Sequence, residues 1–315
     1  MTVSTAGATA AKAAPLPAGA ARNAIDRVGV PGWIQAMPFG LVFLFFFVIP
    51  LILVVIVSFW DYNDYEMLPS FTTRSYTENF EGCLVKLPDL CTILATYAST
   101  AKFCFIVWLT TLILGFTVAY FLAFHVRTVT MQMVLFLVCT IPFWTSNVIR
   151  MISWIPLLGR NGLVNLALER AHIVDKPVEW LLYSPFSVGL AFTHLFTFFM
   201  VVPIFNSMMR IDRRLIEAAY DSGASATQTL WNLIVPLSKP GIVIGSIFVV
   251  TIVMGDFITF DVMGGEQIAS AGKVVETRLN ALQFPPAAAN AVILLAVTLM
   301  IIVGLNRIVD VRKEL

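Results

Sequence analysis

The sequence predicts an all-α, polytopic membrane protein of six transmembrane helices with both termini on the cytoplasmic side. Three observations carry that expectation. The 315 residues are 58% apolar and only 12% charged, with a mean hydropathy of +0.85, which is too little charge to cover a soluble domain. Six stretches approach the ~20 apolar residues that a helix needs to cross ~30 Å of hydrocarbon. Basic residues also sort by side: eleven inside, eight outside and Arg150 within a span account for all 20 Lys and Arg. The short link His125–Thr130 and the cluster Arg210–Arg214 carry most of that positive-inside signal. A net charge of +1 offers nothing to nucleic acid.

Residues 1–35 read as a disordered cytoplasmic tail, rich in Ala and without the continuous apolar run of a secretory signal. A transmembrane domain over 36–315 follows. Its spans are expected at Phe39–Trp60, Tyr97–Phe124, Met131–Leu157, Phe186–Met209, Pro240–Val262 and Ala287–Val309. Outer loops then fall at 61–96, 158–185 and 263–285. The first of these is acidic and holds Cys83 and Cys91. On an oxidising side the two thiols either bond or stay free, and spacing leaves both open. Cys104 and Cys139 lie in spans and read as small packing residues.

A cytoplasmic segment, 210–239, separates spans four and five. Asp212 suits a helix N-cap, and Leu215, Ala218 and Ala219 recur at helical spacing. Gly223 suits a helix end, Ser225 caps a second helix, and Pro236 with Pro240 are expected to stop that helix before span five. By spacing alone this is an amphipathic linker or a surface that a second protein grips, with Glu217 offering one charge.

The order Glu217-Ala218-Ala219, then Gly223, then Leu233-Ile234-Val235-Pro236 resembles the EAA loop of ABC importer permeases. In that family the loop docks on an ATPase subunit. The resemblance implies a type I ABC importer permease fold, with Arg213, Glu217, Ala218, Ala219, Asp221, Gly223, Ala224 and Pro236 as coupling residues. Pro142-Phe143-Trp144-Thr145-Ser146, Ile149-Arg150, Trp154, Gly159–Asn165, Gly255-Asp256-Phe257 and Gly264-Gly265 are similar to signatures of the spermidine/putrescine-type permeases. Asp261 and the loop with Cys83 and Cys91 depart from that pattern and put the substrate, not the class, in doubt. The resemblance further implies a second permease subunit, two ATPase subunits, an external solute-binding protein and residence in a bacterial inner membrane. The expected solute is a polyamine, with an opine-like compound or another small organic amine as the alternative.

The chain has no P-loop, so ATP and Mg are expected in the ATPase partner and no cofactor in this chain. No zinc-spaced His/Cys set and no GxSxG elbow appear, so neither a metal site nor catalysis is expected. An ion-coupled secondary transporter and a membrane enzyme are the competing classes.

Charged groups inside a bilayer usually face a cavity or a partner. Arg150 and Asp256 stand ~28 Å and ~26 Å along spans three and five on straight helices, so the two are expected to share a polar cavity and pair, or else to snorkel. Phe143, Asn147, Arg150 and Trp154 fall on one helical stripe, and Gly245, Ile252, Asp256 and Thr259 on another. Trp144, Asn147, Arg150, Trp154, His194, Asp256 and Thr259 are therefore the candidate substrate path, against packing as the plainer reading. Pro50, Pro142 and Pro203 are placed to kink their helices.

Overall fold

The computed structural model describes residues 32–63, 66–80, 83 and 91–308. Most of the expected tail lies outside them, but helix already begins at Gly32, so 32–35 belong to the first span and not to a disordered tail. The chain divides into two compact units, Met1–Leu53 and Val54–Leu315.

Helix α1, Trp33–Val57, starts in the first unit and is apolar on every face. Pro50 lacks an N–H and crowds the carbonyl four residues back. A π turn at Leu44–Val48 takes up that misfit, so the helix runs on through Ile49–Val57.

In the second unit a short hairpin, β1 (Asp61–Tyr62) and β2 (Met67–Leu68), leads to α2 (Arg74–Phe80). The long helices follow: α3 (Thr92–His125), α4 (Val129–Trp144), α8 (Pro185–Met208), α10 (Ala226–Gly255) and α13 (Phe284–Ile308). Short helices α5 (Asn147–Ile152), α6 (Ile155–Leu158), α7 (Leu163–Arg170), α9 (Arg213–Asp221), α11 (Ile258–Gly264) and α12 (Ala271–Asn280) connect them. Among the described residues five helices are long and apolar enough to cross a membrane, or six crossings if the bent pair beginning with α4 counts as one.

Helix α8 is the centre of the unit. Val188, Phe192, Leu195, Phe196, Met200 and Ile204 are almost wholly buried between α3 and α10. The close approach of α8 and α10 needs Gly241. A Cβ there would lie 2.4 Å from the Pro203 carbonyl oxygen and 2.9 Å from Ile204 Cα.

Three sequence expectations are corrected here. The third span is not one straight helix. Its last turn, Ile141–Trp144, tightens to 3-10, Thr145 and Ser146 are extended, and the chain bends by 92°. The Thr145 hydroxyl donates to the Pro142 carbonyl at 2.9 Å, occupying an acceptor that the next helical turn would need. The fifth span ends at Gly255, and the extended Asp256 leads into the separate short helix α11. Pro236 and Pro240 do not stop the helix before it. A π turn at Leu230–Ile234 precedes Pro236, as at Pro50, and α10 is continuous through both prolines.

Between the bend and α8, Asn165 holds the connecting loop. Its buried carboxamide donates to the Gly159 and Val178 carbonyls, both at 3.1 Å, and accepts from the Val178 N–H at 2.8 Å. Cys83 and Cys91 are disulfide-bonded, with Cα atoms 4.7 Å apart. Closing so short a loop contributes about 2.5 kcal/mol in the chain-entropy account.

Candidate functional site

Two regions hold the residues singled out in the sequence. The first is the helix pair after α8. Asp212 caps α9 by accepting the Arg214 N–H at 3.0 Å. Gly223 takes φ +85°, a left-handed value that β-carbons disfavour. There the N–H of Gly223 donates to Tyr220 at 2.9 Å and that of Ala224 to Ala219 at 3.0 Å, a Schellman stop that satisfies two orphan carbonyls. Ser225 restarts the helix at once through a capping box with Gln228.

The pair is therefore rigid although it is short. Ile211, Ile216 and Leu230 pack against the core, and Ile234 is buried within it. The opposite face is exposed: Arg213, Leu215, Glu217, Ala218, Tyr220, Asp221 and Trp231. Among the described residues, no ion pair engages Glu217, Arg213 or Arg214. Ala219 and Ala224 are half-buried at the turn, and Pro236 lies further on inside α10.

The second region is the face of α8 that α3 and α10 leave uncovered. His194, Phe198, Val202, Asn206 and Arg210 follow one another at i, i+4 spacing along it. The Trp154 indole N–H donates to His194 Nδ1 at 3.1 Å, so the neutral ring carries its proton on Nε2. Below this pair sits an aromatic cluster. Phe143 lies 5.2 Å from Phe198 and 5.4 Å from Phe199 between ring centroids, and Phe248 lies 6.2 Å from Phe199. A cavity of about 750 Å³ opens beside these rings between α8 and α10 and reaches Asn206, Ser207 and Arg210.

The candidate path residues do not all gather here. Trp144, 83% exposed, stands at the bend with Asn147, and Trp154 reaches His194. Arg150 is buried and bonds the Asn147 side-chain carbonyl. Asp256 instead caps α11, accepting from the Thr259 N–H at 2.8 Å and its hydroxyl at 3.0 Å. Thr259 is fully buried by that contact. Arg150 and Asp256 form no ion pair, and the proposed stripes dissolve because each helix breaks between its members. Neither helix runs straight, one breaking at residues 145–146 and the other at 256, so equal distances along the sequence do not give equal depths.

Asp261, the departure from the expected pattern, has a partner: Lys273 Nζ lies 2.9 Å from its Oδ2 and 2.9 Å from Glu276 Oε2. Donating to the Asp261 carboxylate, and next to that of Glu276, holds the Lys273 ammonium above its ordinary pKa. Sequence reasoning missed Phe198, Phe199, Asn206, Ser207 and Phe248. The i, i+4 run from His194 to Arg210 was the available signal for part of that set.

No family model matches the chain. It is similar to the spermidine/putrescine transport system permease protein PotB of Escherichia coli, 34% identical over 204 residues, 64% of this chain and 71% of that protein. PotB of Haemophilus influenzae is 28% identical over 278 residues, 86% of this chain and 93% of its own length. A crystal structure of a bacterial ABC transporter involved in the import of the acidic polysaccharide alginate shares the fold, with a TM-score of 0.69 at 16% identity over 89% of this chain and 94% of that one.

Proposed function

This chain belongs to the spermidine/putrescine-type permease family of ABC importers, and from that membership we propose that it forms one half of a translocation path for a small organic cation of the polyamine class. It is a multi-pass inner-membrane transport subunit. ATP binding and hydrolysis take place in two separate ATPase subunits, a second related permease completes the path, and an external binding protein delivers the solute.

The observation that carries the coupling role is the exposed, doubly capped pair around Gly223 with an unpaired Glu217. The disulfide supports the topology. Disulfides persist on the oxidising side of the membrane, which supports an outer position for the Cys83–Cys91 loop. Three crossings later, through α3, the bent pair and α8, the pair at Arg213–Thr229 is inside, facing the ATPases. ATP-driven closure of those subunits displaces this platform, and α10, continuous from Ala226 to Gly255, carries the displacement into the membrane.

The aromatic cluster supports the solute class. The faces of Phe143, Phe198, Phe199 and Phe248 attract an ammonium through their quadrupoles without holding it as tightly as a carboxylate does. Trp144, Asn147, Trp154 and His194 line the outer part of the same path. Asp256 and Thr259, which cap and pack α11, are left out of it.

The test is uptake of labelled spermidine and putrescine in cells with and without this chain, the cognate binding protein being present. Loss on deletion and recovery with the wild-type chain is the expected result. Unchanged uptake removes polyamines as the solute.

A further inference from the structure

Arg150 meets no counter-charge among the described residues. Among the described residues the ion pairs are made by Arg74, Arg160 and Lys273, and Arg150 is in none of them. Its side-chain hydrogen bond goes to the neutral amide oxygen of Asn147. Its Nε is buried and has no hydrogen-bond partner, and the residue as a whole is only 8% exposed. Asp256, the carboxylate expected to meet it, is already engaged by Thr259.

A buried guanidinium without a carboxylate is costly, and a half-satisfied buried charge is the arrangement that removing one partner of an ion pair leaves behind. The surroundings indicate where the missing partner lies. Val148, Ile149 and Ile152 on α5 are exposed. An apolar face meant only for lipid has no use for a charge set in its middle. Arg150 stands on the same short helix. Its guanidinium offers a fork of N–H donors that a single carboxylate satisfies.

We propose that the α5 face around Arg150 is a contact surface for the second permease subunit, and that an acidic side chain of that subunit pairs with Arg150. The proposal rests on the reading above that a second permease is present. It makes this arginine an assembly determinant rather than a substrate contact, and it removes an uncompensated positive charge from beside a path for cations.

The test uses the full importer, co-expressed and purified through a tag on this chain. Arg150→Met and Arg150→Glu are expected to lower the co-purified second permease at least tenfold. Arg150→Lys is expected to retain most of it. The Cys83–Cys91 bond, read by mobility on a non-reducing gel, is expected to form in all three and reports that the chain itself has folded. Scanning the acidic residues in the second permease's spans to Lys, one position is expected to restore pairing with Arg150→Glu. Wild-type yields of the second permease with Arg150→Met overturn the proposal, and loss of uptake in that case assigns Arg150 to the solute. Loss of pairing that no acid-to-Lys change restores also overturns it, in favour of a lipid phosphate. If the wild-type chain itself brings down no second permease, the failure belongs to the functional reading.

Discussion

Glu217→Lys is expected to reduce ATP-driven uptake at least about tenfold while leaving the amount of this chain in the membrane unchanged. The side chain is exposed on α9, and no ion pair engages it among the described residues, so reversing its charge costs the isolated subunit little. At a docked interface the same change sets like charges against each other. Losing one member of a desolvated charge pair typically costs 2–5 kcal/mol, and 1.4 kcal/mol is already tenfold. ATP hydrolysis by the assembled complex, measured beside uptake, separates the two ways this can fail. Hydrolysis that continues without transport means a lost coupling, and a lost ATPase on purification means a lost dock. Gly223→Val is expected to act differently. At φ +85° a β-branched residue is strained by roughly 1–2 kcal/mol, so the turn between α9 and α10 deforms and the ATPase itself is released. Full uptake in both variants contradicts the assignment of this segment.

Gly241→Ala is expected to impair the chain more than Gly245→Ala, although both add one methyl to the same face of α10. At Gly241 the new Cβ meets backbone, the Pro203 carbonyl oxygen at 2.4 Å and Ile204 Cα at 2.9 Å. Backbone cannot step aside without separating α8 from α10. At Gly245 the nearest atom is Met200 Sδ at 2.8 Å, the flexible end of an adaptable side chain. Overpacking of the first kind costs on the order of 1–3 kcal/mol, enough to lower the yield of folded protein several-fold. Thermal melting of the two purified variants, followed by tryptophan fluorescence, checks the order. Equal melting temperatures count against the close contact at Pro203.

The same contrast between side chain and backbone explains how much of this molecule could be read in advance. The long helices were legible because burial in lipid demands ~20 apolar residues each, and composition shows that directly. The helix–turn–helix after α8 was legible because its caps are local: Asp212, Gly223 and Ser225 act on backbone groups within five residues of themselves. The break after Trp144 was not. Phe143, Asn147, Arg150 and Trp154 keep helical spacing on paper, while Thr145 takes the Pro142 carbonyl and turns the chain. Nor was the break at Asp256, whose carboxylate looked like a membrane charge in search of a partner and is an N-terminal cap for α11. Pro236 misled in the opposite sense, because a π turn just before it absorbs the misfit. The aromatic cluster escaped because Phe143, Phe198 and Phe248 come from three helices, and one sequence does not show which faces meet. Arg150 was legible as an anomaly, but its lack of a partner became visible only once Asp256 was found occupied elsewhere.

ATP-driven movement of a polyamine through this chain is tested most directly by spermidine accumulation in proteoliposomes holding the whole importer and its loaded binding protein, with and without ATP on the ATPase side. The expected result is accumulation only with ATP, abolished by Glu217→Lys. Accumulation driven by an ion gradient through this chain alone, with no ATPase present, would contradict the account.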